Sequence, residues 1–191
     1  HISTDFAVVD GKVAWLAHTR GYPLQDGTFD YWEIIESAEM TNYLSKFIEK
    51  HLAGYTGMLN FETIGGKIIE GHLRFADQWP DLYGKGFVDE VVKLYADRSF
   101  KLDSSLSSGY SVVLFSDPKV YKKPSKQTLQ KCLVLQGISS IQFPFHENQD
   151  PKNHSMPPGG MRIAIVNGFD LDKCMEVRRI IKKIMVDCEE E

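Results

Sequence analysis

Four side chains that can bind a metal or an anion lie on one predicted β-hairpin. Residues 57–74 read GMLNFETIGGKIIEGHLR, in which two short apolar runs flank a Gly-Gly turn signal. The first predicted strand carries Glu62, and the second carries Glu70, His72 and Arg74. Because side chains alternate faces along a strand, the three on the second strand share a face. Two carboxylates, an imidazole and a guanidinium suit a hard cation and the anion that it carries.

The same residues have a simpler interpretation. A Glu-x-His-x-Arg triplet also occurs on the solvated face of an antiparallel sheet, where it has no binding function.

The hairpin resembles the metal-binding hairpin of ATP-grasp enzymes. In that family an acidic or amide residue on one strand is followed by a short turn and by Glu-x-Asn-x-Arg on the next strand. Here the second strand reads EGHLR over 70–74. The resemblance implies that Glu62 and Glu70 bind magnesium or manganese ions that bridge the phosphates of ATP. It also implies that Arg74 faces the phosphates or an acyl-phosphate intermediate.

His72 stands where ATP-grasp enzymes usually have Asn. Magnesium prefers oxygen ligands, whereas imidazole suits softer metals. His72 therefore contacts a phosphate oxygen, orients a water molecule or marks a site whose chemistry has changed. The catalytic candidates are Arg74 and His72, and the candidate metal and nucleotide ligands are Glu62 and Glu70.

The segment 1–19 is similar to the strand pair that opens the larger nucleotide lobe of ATP-grasp enzymes. Thr4 and Asp5 match the polar pair that precedes the first apolar strand of that lobe. His18 and Arg20 end the return strand, and Arg20 is a candidate cofactor-binding residue, since it could reach the phosphates. His18 is interpreted as a polar residue at a strand end rather than as a ligand.

Other patterns predict the elements that position the hairpin. Helices are predicted over 36–52 and 87–96, and over 171–186 behind an N-cap at Asp170. Strands rich in β-branched and aromatic residues are predicted over 109–115 and 161–167. We therefore expect an α/β (α+β) fold. It consists of an ATP-grasp-like larger lobe, with a mainly antiparallel sheet packed by helices, and a C-terminal strand–helix piece.

The expected domains are a metal and nucleotide lobe over 1–84 and a C-terminal region over 85–191, which packs on the lobe or continues it as one domain. ATP-grasp enzymes place a smaller lobe with phosphate-binding lysines before these elements, and no such lobe can be placed in this sequence. We therefore expect the chain to be the C-terminal half of a longer protein, with the N-terminal half of the same protein as its partner.

Two loops carry further candidates. Asp77, Gln78 and Asp81 follow the hairpin and are either substrate contacts or caps of the next helix. His146 and His154 lie in a long polar loop, and their spacing is not that of a metal motif. We interpret both histidines as solvated.

Composition limits the class of function. The chain has 191 residues and a formal net charge of −4, which provides no basic footprint for nucleic acid. It contains no apolar run of about 18 residues, so no membrane-spanning helix is predicted. Its three cysteines, Cys132, Cys174 and Cys188, lack metal-site spacing and predict reduced thiols in a cytoplasmic protein.

The resemblance implies an ATP-dependent ligase. ATP phosphorylates a carboxylate, and an amine or similar nucleophile attacks the acyl phosphate, so small-molecule carboxylates and amines are the expected substrates. A homodimer is also compatible with the sequence. The alternative is a catalytically degenerate ATP-grasp fold that serves as a binding or scaffold subunit, which His72 and the missing upstream lobe favour.

Overall fold

The computed structural model describes residues 1–25, 28–102, 108–135, 137–154 and 160–187. The chain separates into two compact units. Unit 1 comprises residues 1–21 and 34–108, and unit 2 comprises residues 22–33 and 109–191.

The first hairpin of unit 1 is formed by strands β1 (Ile2–Val9) and β2 (Lys12–Gln25), which pair antiparallel. Asp10 and Gly11 form its turn, with φ of 49° and 75°. A two-residue turn with positive φ at both positions matches the right-handed twist of the strands, which favours an Asp-Gly pair. The predicted opening strand pair is confirmed, and β2 continues beyond its predicted end into unit 2.

The second hairpin of unit 1 is formed by β4 (Gly57–Ile64) and β5 (Lys67–His72), which also pair antiparallel. Its Gly65-Gly66 turn has φ of 57° and 76°. Strand β4 pairs with β1, so the strand order in this unit is β5-β4-β1-β2. The predicted hairpin is therefore confirmed over 57–72, whereas Arg74, which was expected on its second strand, follows the end of β5.

Helix α1 (Ala38–His51) covers one face of these strands. Its N-cap is Ser37, whose side chain accepts a hydrogen bond from the Met40 N–H group. Met40, Leu44 and Ile48 recur on one stripe of the helix, and all three are buried. The strand residues in the same core are Phe6, Val8, Leu59 and Phe61. The helix predicted over 36–52 is confirmed.

Aromatic side chains build a second layer of unit 1 around Trp15. The indole ring of Trp15 lies 4.9 Å from the ring of Tyr83 and 5.2 Å from the ring of Phe87. Tyr83 ends a short 3-10 helix (Pro80–Tyr83), and Phe87 begins helix α2 (Phe87–Asp97). The helix predicted over 87–96 is confirmed.

Unit 2 is built on strands β3 (Thr28–Ile35), β6 (Tyr110–Ser116), β7 (Ile138–Gln142) and β8 (Met161–Gly168). The pairs β3–β6, β6–β8 and β7–β8 are all antiparallel. Its helices are α3 (Lys126–Leu133) and α4 (Leu171–Asp187). The Asp170 side chain accepts a hydrogen bond from the Lys173 N–H group at 3.0 Å, as the predicted N-cap requires. The expected fold class, an antiparallel sheet packed by helices, is confirmed.

The two units differ from the domain ranges predicted from the sequence. Division after residue 84 would assign α2 to the C-terminal region, whereas α2 packs on β1 and β4 within unit 1. The segment 22–33 belongs to unit 2, because β3 pairs with β6. Both differences arise from tertiary contacts that local sequence patterns do not encode.

Candidate functional site

The structure brings Glu62, Glu70 and His72 together on one face of the second hairpin. Glu62 lies opposite Glu70 across the β4–β5 pair, and Asn60 lies opposite His72. One ligand atom of each of Glu62, Glu70 and His72 lies within 4.8 Å of the others. Among the residues that the structure describes, no other group of three His, Cys, Asp or Glu side chains lies as close.

A β-bulge next to Glu62 sets this arrangement. Glu62 pairs with Glu70 but Thr63 pairs with Ile68, so Ile69 is the extra residue on β5. Without the bulge, Ile68 would share a face with Glu70, since they are two residues apart. With it, Ile68 packs on the core beneath α1 while Glu70 faces the opposite side. The bulge thus separates the apolar face of β5 from its charged face.

Gly71 is required by close packing on the other face of the same strand. A Cβ atom at this position would lie 2.9 Å from Cε1 of Phe61, which is closer than real Cβ contacts. The Phe61 ring therefore covers the backbone between the two candidate ligands. This packing fixes the strand that carries Glu70 and His72.

The contacts within the cluster are polar and partly open to solvent. Nε2 of His72 lies 3.1 Å from Oε1 of Glu70, and Nε2 of His1 lies 2.7 Å from Oε2 of Glu62. The exposed fractions of the side chains are 29% for Glu62, 55% for Glu70 and 27% for His72. An incoming ion could therefore reach all three.

The electrostatics of the cluster favour a cation. Burial raises the pKa of Glu62, and the neighbouring Glu70 carboxylate raises it further. His72 and Arg74 act in the opposite direction on the same pKa. The two carboxylates thus repel each other across the strands, and a bound dication would relieve that repulsion. Two carboxylates and an imidazole at this separation fit a divalent cation, although the imidazole is not a ligand that magnesium prefers.

Arg74 follows the end of β5, and its side chain is exposed. Its Nη1 donates a hydrogen bond to the carbonyl oxygen of Phe75 at 3.2 Å. Its charge lowers the pKa of Glu62. A role for Arg74 in binding an anion beside the candidate metal ligands stays a prediction.

Arg20 lies elsewhere on the sheet. It pairs with Ile2, and Ile2 pairs with Thr63, whereas Glu62 pairs with Ser3. Because side chains alternate along a strand, Arg20 and Glu62 project from opposite faces of the sheet. A role for Arg20 in binding the cofactor stays a prediction.

Asp5 is the central acceptor of a buried hydrogen-bond network. Its Oδ1 accepts from Asn60 Nδ2 at 2.6 Å, its Oδ2 accepts from the Tyr83 hydroxyl at 2.6 Å, and the Ala76 N–H group lies 3.0 and 3.1 Å from the two oxygens. The Tyr83 hydroxyl accepts in turn from Trp79 Nε1 at 2.6 Å. Asp5 therefore ties the segment after Arg74 to β1.

Burial controls the ionisation of this network. It raises the pKa of Asp5, while the hydrogen bonds from Tyr83, Asn60 and Ala76 oppose that shift. Burial and the nearby Asp5 charge raise the pKa of Tyr83, so Tyr83 stays a donor. The sequence placed Asp5 only in a polar pair before the first strand, but Thr4 and Asp5 lie inside β1. No local sequence pattern connects Asp5 with its partners Asn60, Ala76 and Tyr83.

The loop candidates occupy different environments. Asp77 is exposed and Gln78 is buried, and Asp81 lies in the short 3-10 helix. Helix α2 follows Gly86 and has no side-chain cap, so none of the three caps that helix. Substrate contact by these residues stays a prediction.

The remaining candidates of the sequence analysis belong to unit 2. His146 donates its backbone N–H to Nε2 of His154 at 3.0 Å, which links the ends of their loop. Cys132 and Cys174 are buried free thiols, and Cys188 lies outside the described residues. Within the described ranges, no helix is both long enough and apolar enough to span a membrane.

His18 is a buried residue of unit 1. Its Nδ1 lies 2.8 Å from Oγ1 of Thr4, and its Nε2 lies 2.8 Å from Oγ1 of Thr41. Burial lowers the pKa of His18 to about 4, against a backbone hydrogen bond at Ser37 that raises it. His18 is thus a structural bridge between β1, β2 and α1.

The His18 environment predicts a pH-dependent loss of stability. Between pH 6.5 and about 4 the unfolded chain binds a proton that folded His18 does not, so acidification favours unfolding. We expect His18 to account for a loss of about 2–3 kcal/mol over that window. His18→Gln should remove this component, as seen by urea unfolding from pH 7.5 to 4.5 relative to wild type. Parallel profiles of the two proteins would contradict the assignment.

Comparison with known proteins shows similarity of fold. No family model and no curated protein matches the chain. Among solved structures, phosphoribosylglycinamide synthetase from Anaerococcus prevotii matches with a TM-score of 0.61 and 16% identity, over 95% of this chain and 51% of that one. The L-amino acid ligase from Bacillus licheniformis matches with a TM-score of 0.60 and 10% identity, over 95% of this chain and 52% of that one.

A third match is the phosphoribosylaminoimidazole carboxylase ATPase subunit from Aquifex aeolicus. Its TM-score is 0.59 and its identity is 13%, over 94% of this chain and 57% of that one. The chain thus spans about half the length of the structures that it matches. The resemblance to ATP-grasp ligases predicted from the sequence is confirmed for the fold.

Proposed function

We propose that this chain is the metal-binding and acceptor-side part of an ATP-dependent ligase. The ligase activates a small-molecule carboxylate as an acyl phosphate and joins it to an amine or similar nucleophile. The proposal rests on one observation above all, which is the convergence of Glu62, Glu70 and His72 on the hairpin of a fold shared with ligases. The N-terminal half of the same protein is the proposed partner, and the cytoplasm is the proposed location.

The residues of the cluster have different proposed roles in binding the cation and the phosphate anion. Glu62 and Glu70 would hold the divalent cation, magnesium or manganese, through their carboxylate oxygens. A cation held there would supply positive charge to offset the charge on the transferred phosphoryl group. His72 lies on the same strand face as Glu70, where its imidazole can contact the cation or a phosphate oxygen.

The Arg74 guanidinium supplies a positive charge in addition to that of the divalent cation. Its guanidinium is planar and donates paired hydrogen bonds to carboxylate or phosphate oxygens, which a lysine ammonium cannot reproduce. It lies at the exposed end of β5, so an acyl phosphate beside the cluster is within the reach of its long side chain. Arg74 thereby stabilises the charged intermediate.

The test is nucleotide turnover by the full-length protein. ATP hydrolysis and ADP release should depend on a divalent cation and on one member of a panel of carboxylates, with an amine as acceptor. A wild-type protein that binds no nucleotide by calorimetry in the presence of magnesium would contradict the ligase proposal and leave a scaffold role.

Replacement of Arg74 tests the anion-binding role directly. Arg74→Ala should lower kcat/KM about 100-fold, because one donor group at a developing charge is lost. Arg74→Lys should recover part of that loss, since it restores the charge without the paired geometry. The matched control is Arg179→Ala, which removes an exposed arginine from α4. Equal effects of Arg74→Ala and Arg179→Ala on kcat/KM would argue against the role.

A further inference from the structure

We propose that the Glu62–Glu70–His72 cluster selects a divalent first-row transition ion over magnesium. This inference deepens the proposed function at the same site. It depends on the ligase proposal only for the role of the ion in turnover, because metal preference is measurable without nucleotide.

Ligand chemistry is the first reason. Magnesium takes oxygen ligands in near-octahedral geometry and sheds water reluctantly, whereas imidazole suits zinc, cobalt and other transition ions. Replacing an amide oxygen ligand by an imidazole nitrogen therefore weakens a magnesium site and strengthens a transition-metal site. Two carboxylates and one imidazole form a donor set with both oxygen and nitrogen ligands.

The position of His72 is the second reason. Strand pairing places His72 opposite Asn60, one step along the same face from Glu70 and its partner Glu62. The ligand atoms of the three cluster side chains are already within 4.8 Å of one another. Because all three side chains are partly exposed, small rotations bring them onto one ion without movement of the strands.

The existing contact between His72 and Glu70 is the third reason. Nε2 of His72 lies 3.1 Å from Oε1 of Glu70, so the imidazole nitrogen and the carboxylate oxygen already face the same point. A divalent ion placed between them would contact both groups at once.

The experiment measures metal binding without nucleotide. The chlorides of magnesium, manganese, cobalt and zinc are titrated separately into the purified full-length protein by calorimetry. We expect affinity to increase in the order magnesium, manganese, cobalt, zinc, with zinc bound at least about 100-fold more tightly than magnesium. Cobalt provides a second readout, since its visible absorption changes when imidazole nitrogen binds.

Two variants assign the preference to His72. His72→Asn should weaken zinc binding at least about 10-fold, leave magnesium binding equal or tighter, and alter the cobalt spectrum. The matched control is His51→Asn, which replaces an exposed histidine at the end of α1 and should leave all four affinities unchanged. Circular dichroism melts of each protein establish that the variants are folded.

The outcomes separate this inference from the ligase proposal. Zinc affinity that is unchanged in His72→Asn, or equal affinity of wild type for zinc and magnesium, would overturn the metal preference. Tight zinc binding that is lost in His72→Asn, together with no ATP turnover, would support the preference and reject the ligase. If the full-length protein turns over ATP, the assay is repeated with magnesium as the only divalent cation supplied. Under that condition, turnover should be higher in His72→Asn than in wild type and lower in His72→Ala.

Discussion

Replacing Glu70 by Gln in the full-length protein should lower ligase turnover by about three orders of magnitude or more, equivalent to about 4 kcal/mol of activation free energy. Gln keeps the length and one carbonyl oxygen of Glu70 but removes its negative charge. Glu62 and Glu70 face each other across two strands, and both are proposed to hold the same cation. With one carboxylate lost, the cation is held too weakly to neutralise the transferred phosphoryl group.

Glu70→Gln should not lower the stability of the fold. Glu70 is 55% exposed, and its charge raises the pKa of Glu62 in the absence of metal. Glu70→Gln removes that repulsion, so the free energy of unfolding without metal should stay equal or rise slightly. Urea unfolding of both proteins measures this difference. A variant that is unstable as well as inactive would indicate a structural role for Glu70 instead.

A matched control distinguishes the site from general changes of charge. Glu49→Gln makes the same substitution on the exposed face of α1 and should leave turnover unchanged. Glu62→Gln should resemble Glu70→Gln, because the two carboxylates act on one ion. Unchanged turnover in Glu70→Gln would remove the hairpin from the proposed mechanism.

Local signals were sufficient to predict the hairpins and the long helices. The Asp10-Gly11 and Gly65-Gly66 turns depend on backbone angles that few residue types accept, so they can be located without knowledge of the partner strands. Helix α1 has a stripe of apolar residues and a Ser37 cap, both of which are visible in the sequence. The same signals placed Glu62, Glu70 and His72 on one face.

Three elements of unit 2 had no such signal. Strand β3 is only partly buried and mixes aromatic with acidic residues, and β7 reads ISSIQ with every residue half-buried. Helix α3 is short and polar, with Cys132 as its buried residue. Each forms because a neighbour pairs with it or covers it, as β8 does for β7. Propensity within the segment itself could not have predicted them.

Asp5 shows why part of the site also escaped sequence reasoning. Its donors are Asn60, Ala76 and Tyr83, which lie 55, 71 and 78 residues away along the chain. No local pattern connects a strand residue to a loop at that separation. The alternation of β1 placed Asp5 on the same face as Ser3, but only the pairing with β4 brings Asn60 beside them.

Replacing Asp5 by Ala should lower the free energy of unfolding by about 3–5 kcal/mol, since each buried donor left without an acceptor costs about 1–3 kcal/mol. The Asn60 amide, the Ala76 N–H group and the Tyr83 hydroxyl all lose their acceptor together. Asp5→Asn should cost less than Asp5→Ala, because it keeps one acceptor oxygen. Urea unfolding at pH 7 measures the three proteins, with Asp77→Ala as the control for an exposed aspartate in the same loop.

The loss of stability in Asp5→Asn shows whether Asp5 stabilises the fold through its charge or through the hydrogen bonds that it accepts. Burial raises the pKa of Asp5, so its negative charge is itself unfavourable in the folded protein, and its ability to accept hydrogen bonds is the stabilising property. Asp5→Asn and Tyr83→Phe should therefore be strongly coupled in a double-mutant cycle, because both break the same contact. Additive effects would place the stabilisation elsewhere. Because Ala76 lies two residues beyond Arg74, folded Asp5→Asn should also lose turnover through a displaced Arg74 guanidinium.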